Sequence, residues 1–182
     1  MTPKIFNLQP DFLSNSIVRL EPIQATDFER LFAVASDPRI WEQHPDRERY
    51  RKERFQLYFE SALESKGAFL VFDAKTNELI GSTRFYEYSP ENSRIAIGFT
   101  FLSCSCWGGL HNRAMKQLML DYAFQHVSTV IFHIGAENIR SQKAILKLGA
   151  VKIDEVGFDL NGTKSVHFEY EIRKENWIKG EK

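Results

Sequence analysis

Two short segments of the chain carry residue types suited to holding an anion. The first is Trp107-Gly108-Gly109-Leu110-His111-Asn112-Arg113, where an alternating apolar run stops at two adjacent glycines and a helix-patterned segment begins. Unpaired N–H groups of a helix's first turn, reinforced by the helix dipole, hold phosphate oxygens when no side chain blocks the approach. Glycine leaves that approach open. The second segment, Asn138-Ile139-Arg140-Ser141, starts another helix-patterned stretch that ends at Leu148-Gly149.

Groups that move protons or act as nucleophiles are sparse. His133 sits mid-strand with Ile131 and Gly135 on its face; an unperturbed histidine titrates near neutral pH, which makes it the candidate base, although a hydrogen-bonded structural histidine is the favoured reading. Cys104 and Cys106 face the same way on a strand and are expected to be reduced thiols. No charged partner is identifiable to activate them. Only His111 lies near enough to join them as a metal ligand, and structural zinc wants four, so no metal site is expected. There is no Walker loop, dinucleotide fingerprint, Gly-x-Ser-x-Gly elbow or His-Glu-x-x-His helix.

The elements that must position these groups alternate. Ile17 to Leu20 reads as a strand, and Asp27 caps a helix carrying Phe28, Leu31, Phe32 and Val34, which Asp37-Pro38 ends. A second helix carries Phe55, Tyr58, Phe59, Ala62 and Leu63 and stops at Lys66-Gly67. The charges from Asp46 to Arg54 alternate in sign, as on a solvated helix face. Phe69 to Phe72 and Leu79 to Tyr88 form a hairpin, and Ile95, Ile97, Phe99 and Phe101 alternate in the next strand. A helix through Leu110, Ala114, Leu118 and Tyr122 and a strand from Val130 to Ile134 complete a βαβ unit. A last hairpin runs from Val151 to Phe158, through an Asn161-Gly162 turn, to Val166 through Ile172. The fold class is α/β with a mixed sheet.

Length and charge bound the rest. A chain of 182 residues fits one domain, residues 1–182. Lys+Arg 24 balances Asp+Glu 24, so no global field recruits nucleic acid or an anionic membrane. The first residues lack the pattern of a signal peptide, and no apolar run is long enough to span a bilayer. A cytoplasmic location is expected.

In the order Ile97-Gly98-Phe99, Trp107-Gly108-Gly109, Asp121-Tyr122-Ala123-Phe124, Asn138-Ile139-Arg140-Ser141 and Lys147-Leu148-Gly149, the chain resembles the GCN5-related N-acetyltransferase (GNAT) superfamily over nearly its whole length. Ile40-Trp41 and Ile80-Gly81-Ser82-Thr83-Arg84 resemble its ribosomal-protein alanine acetyltransferase branch. The resemblance implies splayed strands that hold acetyl-CoA, whose acetyl group passes to an amine by direct attack. It implies a pantetheine arm between the strand ending at Phe101 and Leu102 and the one ending near Gly135, and a pyrophosphate on residues 107 to 112, which include Trp107, Gly108, Gly109, Leu110, His111 and Asn112. Asn138, Ser141 and Lys147 match cofactor-side positions, and the Leu102 amide becomes the oxyanion donor. The acceptor side is assigned to Trp41, His44 and Tyr86, each of which serves equally well as core or strand packing. No metal, nucleic-acid or membrane partner is implied, and a homodimer is left open.

Four positions depart from the family pattern. Ser105 and Leu110 replace the outer residues of the glycine turn, while Ala96 and Ile145 stand where some relatives carry a glutamate base and a tyrosine acid. These departures keep a non-catalytic acyl-CoA-binding module as the alternative. They also bear on the acceptor. A lysine amine with pKa about 10.4 costs about 4.6 kcal/mol to deprotonate at pH 7, against about 1.4 for an α-amine near 8. An N-terminal or weakly basic small amine is therefore the easier substrate.

Overall fold

A computed structural model describes residues 6–160 and 163–179, so the Asn161-Gly162 turn lies outside the described residues. In chain order the strands are β1 (Leu13–Ser14), β2 (Val18–Pro22), β3 (Ala68–Asp73), β4 (Leu79–Ser89), β5 (Arg94–Leu102), β6 (Thr129–Gly135), β7 (Val151–Leu160) and β8 (Thr163–Arg173). The helices are α1 (Phe28–Ala35), α2 (Lys52–Glu64), α3 (His111–Ala123), α4 (Ile139–Leu146) and α5 (Lys174–Lys179). The strands form one mixed sheet in the order β1-β2-β3-β4-β5-β6-β8-β7. Among the described residues only β5 and β6 pair in parallel, joined through α3 as the βαβ pattern requires.

Alternation sorts side chains to the two faces. Ile95 and Ile97 of β5 and Val130, Phe132 and Ile134 of β6 pack with Met115, Met119 and Leu120 of α3 and Ile145 of α4. The opposite face carries Leu70 and Phe101, covered by Leu31 of α1, by Phe55 and Phe59 of α2, and by Trp41. Each such buried side chain contributes about 1.5–3 kcal/mol.

The feature that shapes the site is a divergence of the two parallel strands. β5 and β6 pair only at Arg94↔Thr129, Ile95↔Val130 and Ala96↔Ile131, after which each continues unpaired with the other. A bulge in β5 adds to the split: Arg84 lies opposite Gly98 but Ser82 opposite Phe101, so Phe99 and Thr100 together face Thr83. Phe99 has φ of 50°. Tyr58 Oη donates to its carbonyl at 2.8 Å, and the Arg84 guanidinium sits 4.0 Å over its ring.

Three local expectations change. Asp27 does not cap α1; its carboxylate accepts the Gln24 N–H at 2.8 Å and pairs with Arg30, because a 3-10 turn over Ala25–Asp27 precedes the helix. The run from Asp46 to Arg54 is not one solvated helix face, since α2 starts at Lys52 and Asp46 and Arg49 are nearly enclosed, with side chains 11% and 12% exposed. Cys104 and Cys106 lie not on a strand but in a 3-10 turn, Cys104–Cys106, that follows β5.

Candidate functional site

The split opens a cleft of about 750 Å³ whose walls are β5, β6, the turn before α3, α4 and the segment from Ile40 to Pro45. At one end lies the glycine turn. Gly108 has φ of +70° with open space where a Cβ would be, so the backbone favours glycine there and the surface is left bare. No side chain caps α3 at Leu110, and its first amides remain available to an anion. The Trp107 ring is held from both sides: Nε1 donates to the Leu102 carbonyl at 3.2 Å, and the Arg140 guanidinium lies 3.8 Å from the ring centroid.

His111 turns away from the cleft. Its Nε2 is 2.7 Å from Asp73 Oδ2, while Nδ1 is buried without a hydrogen-bond partner among the described residues. The hydrogen bond from His111, with those from the Thr76 and Lys75 amides, holds the Asp73 carboxyl well below the usual range.

Across the cleft, Asn138 Oδ1 accepts the Ser141 N–H at 3.2 Å and caps α4, and the Arg140 N–H donates to Gln43 Oε1 at 3.1 Å. Arg113, Lys143 and Lys147 line the cleft without a carboxylate partner among the described residues, giving a local cationic rim on a chain of zero net charge. Replacing Asn138 with Ala is expected to cost about 1 kcal/mol of stability, read as a lower denaturant midpoint at unchanged slope.

The open edge of β5 is aimed at the same space. Gly81 and Leu102 are opposed while Ser103 N–H donates to the Ile80 carbonyl, so the Leu102 N–H and carbonyl point away from β4, toward the split. One of these is already engaged by Trp107. The N–H is a fixed donor beside the gap.

The face toward α1 and α2 carries a chain of polar groups. Tyr86 Oη lies 2.8 Å from His133 Nδ1, and His133 Nε2 lies 2.9 Å from Glu169 Oε2. An ionised carboxylate only accepts, so Nε2 carries the proton and Nδ1 accepts the Tyr86 O–H. Burial pushes the Tyr86 phenol up, keeping it a neutral donor. Gly98 makes the approach possible, because a Cβ there would stand 3.0 Å from the Tyr86 ring and 3.2 Å from its hydroxyl. His44 also borders the cleft; burial, then the neighbouring Arg49 guanidinium, lower its pKa to about 3, so it is neutral at physiological pH. Trp41 is both core and wall, 2% exposed yet lining the cleft.

The face toward α3 holds a charge that spacing did not reveal. Lys116 is 4% exposed, and its Nζ donates to Thr100 Oγ1 at 2.7 Å inside the split. Cys106 lines the same space and Cys104 lies beside it in the chain; both are free, and burial raises both thiols, leaving them poor nucleophiles. Among the described residues no group of three or more His, Cys, Asp or Glu could hold a metal ion. Within the same residues no helix is long and apolar enough to cross a membrane.

The glycine turn, Asn138, Ser141 and His133, singled out from the sequence and the family resemblance, all line the cleft, whereas the sequence assigns no role to Glu169, Arg140 or Lys116. Alternation in the last hairpin gives Glu169 a face, and that is the only signal for it.

The family model described as acetyltransferase (GNAT) domain matches residues 18–151. No curated protein matches the chain at comparable stringency. Among solved structures, an acetyltransferase-like protein of T. thermophilus is 26% identical at a TM-score of 0.79, covering 93% of each chain. Mycobacterium smegmatis RimJ in complex with CoA-disulfide is 16% identical at a TM-score of 0.74, over 94% of this chain and 91% of that one. Spermidine N-acetyltransferase from Vibrio cholerae, in complex with CoA and spermine, is 16% identical at a TM-score of 0.69, over 90% and 99%. The last two share the fold.

Proposed function

The chain belongs to the GNAT acetyltransferase family and is an acetyl-CoA-dependent acyltransferase, and from that premise we propose that it acetylates a primary amine, either a protein N-terminal α-amine or a small weakly basic amine, by direct attack in a ternary complex. The observation that carries this reading is the split between β5 and β6, with an unpaired strand edge along one wall and an uncapped helix N-terminus at its end. Pantetheine amides pair with such an edge as another strand would. The pyrophosphate fits the amides after Gly108, with Arg113, Lys143 and Lys147 supplying opposite charge. Asn138 and Ser141 flank the arm.

The chemistry follows from the two sides of the sheet. A neutral amine enters from the side of Trp41 and His44, with the Tyr86 hydroxyl behind Gly98, and attacks the thioester carbonyl. The Leu102 N–H then holds the developing oxyanion. As the C–N bond forms, the amine's proton passes to Tyr86 Oη while Tyr86 gives its own to His133 Nδ1, and Glu169 stabilises the resulting imidazolium. This relay supplies the base that Ala96 cannot.

The lining also selects among amines. None of the described cleft-lining residues is Asp or Glu, so a polyamine finds no counter-charges there and a monoamine is preferred. Calorimetric titration with acetyl-CoA, with ADP as control, followed by thiol release against an N-terminal peptide, a blocked lysine peptide and spermine, tests the assignment. Binding is expected, with release fastest for the N-terminal peptide. At pH 7 its advantage over the lysine ε-amine should be about two orders of magnitude, from the roughly 3 kcal/mol difference in deprotonation. Preference for lysine or spermine would sink the acceptor assignment, and failure to bind acetyl-CoA would sink the cleft's.

A further inference from the structure

A buried ammonium without a counter-ion is an expensive way to fill a core. Lys116 is one: a single hydrogen bond, to Thr100 Oγ1, is its polar contact, and no Asp or Glu pairs with it among the described residues. Thr100 belongs to the bulge of β5, and the ring of Phe132, whose centroid is 5.7 Å from Nζ, belongs to β6. The amine is therefore placed between the two diverging strands, on the α3 face, with two N–H groups left for something in the cleft. Thr100 in turn bonds Thr83 Oγ1 at 2.8 Å, which fixes the hydroxyl that orients Nζ.

Among the described residues no other ionisable group competes at that point. From β6 the neighbour is Phe132, from α4 it is Ile145, and from β4 it is Thr83; His133 projects to the opposite face, and Arg113, Lys143 and Lys147 stand on the rim. The remaining titratable lining groups are the Cys106 thiol, held protonated by burial, the His44 and His167 imidazoles, whose pKa values burial lowers, and the Arg140 guanidinium over Trp107.

We propose that Lys116 is a catalytic residue, the general acid that protonates the departing sulfur. When the tetrahedral intermediate collapses, the C–S bond breaks and its electron pair goes to sulfur. The Lys116 ammonium gives that sulfur a proton and becomes a neutral amine, while the acceptor's proton has gone through Tyr86 to His133. Solvent restores both groups after product release. Acid and base thus lie on opposite faces of the sheet, and neither has to move. Burial lowers the Lys116 pKa to about 7, which matches a donor that must give up its proton near neutral pH.

This inference rests on the placement of the acetyl-CoA arm in the split, and the test separates the two. Lys116→Met and Lys116→Gln are compared with the unaltered protein by acetyl-CoA calorimetry, by kcat and KM, and by the pH dependence of kcat. In the unaltered protein, kcat should fall as pH rises through about 7 and the acid is lost. Both variants should bind acetyl-CoA within about threefold, lose about a hundredfold or more in kcat, and lack that alkaline limb. Lys116→Met should also melt no lower than the unaltered protein, since it removes an unpaired buried charge. Unchanged kcat, a reduced kcat that keeps the alkaline limb, or loss of acetyl-CoA binding in the variants alone would each overturn the proposal. Failure of the unaltered protein to bind acetyl-CoA would instead overturn the reading of the cleft.

Discussion

Replacing His133 with alanine should lower kcat by about 10²–10⁴ while leaving acetyl-CoA affinity nearly unchanged. The imidazole lies on the face away from α3 and α4, so its loss spares the anion site, but it takes away the acceptor of the Tyr86 hydroxyl and the donor to Glu169. Tyr86→Phe should fall comparably, because it breaks the same relay one step earlier. Glu169→Gln separates proton transfer from packing. The amide can donate to Nε2 and so favours the tautomer with Nδ1 protonated, which can no longer accept from Tyr86. A large kcat loss with unchanged melting temperature is expected for that near-isosteric change. Full activity in all three variants would make the chain of hydrogen bonds purely structural.

The legibility of this site follows the range of the interactions that build it. Gly108 and the helix after it are local features: a left-handed backbone angle and a change from strand to helix periodicity leave marks within a few residues. His133 was visible by alternation, yet Tyr86 and Glu169 reach it from other strands, and no local pattern announces which side chains meet there. Lys116 was hidden for another reason. Its neighbours Met115 and Met119 carry the apolar stripe of α3, and a lysine inside such a stripe reads as a surface residue because lysine is so rarely fully buried. The alternating charges from Asp46 to Arg54 misled in the same way. Asp46 holds Arg49 and Arg54 at 3.4 and 3.0 Å around a turn, and Arg49 covers the rings of Trp41 and Tyr58. The split itself depends on where β5 and β6 stop pairing and on the packing of β5 beyond that point, which no local pattern marks.

That packing converges on Trp41, and Trp41→Ala should be the most destabilising change at the site, by about 3–5 kcal/mol. The indole is 2% exposed, donates from Nε1 to the Ala35 carbonyl at 2.7 Å, and lies 5.1 Å from the Phe101 ring and 5.5 Å from the His44 ring. Truncation would leave a cavity against β5 just past the bulge and orphan the last buried carbonyl of α1. For a domain of this size the loss corresponds to a fall in Tm of about 10 °C or more. Trp107→Ala provides the contrast. Trp107 is 37% exposed and holds Arg140 over its face at the anion end, so its loss should cost little stability while weakening acetyl-CoA binding several-fold. Measuring Tm and acetyl-CoA KM for both variants separates the roles: Trp41 fixes the wall, and Trp107 shapes the mouth. If Trp41→Ala melted within about 2 °C of the unaltered protein, or if Trp107→Ala left KM unchanged, the division between a structural and a ligand-facing tryptophan would fail.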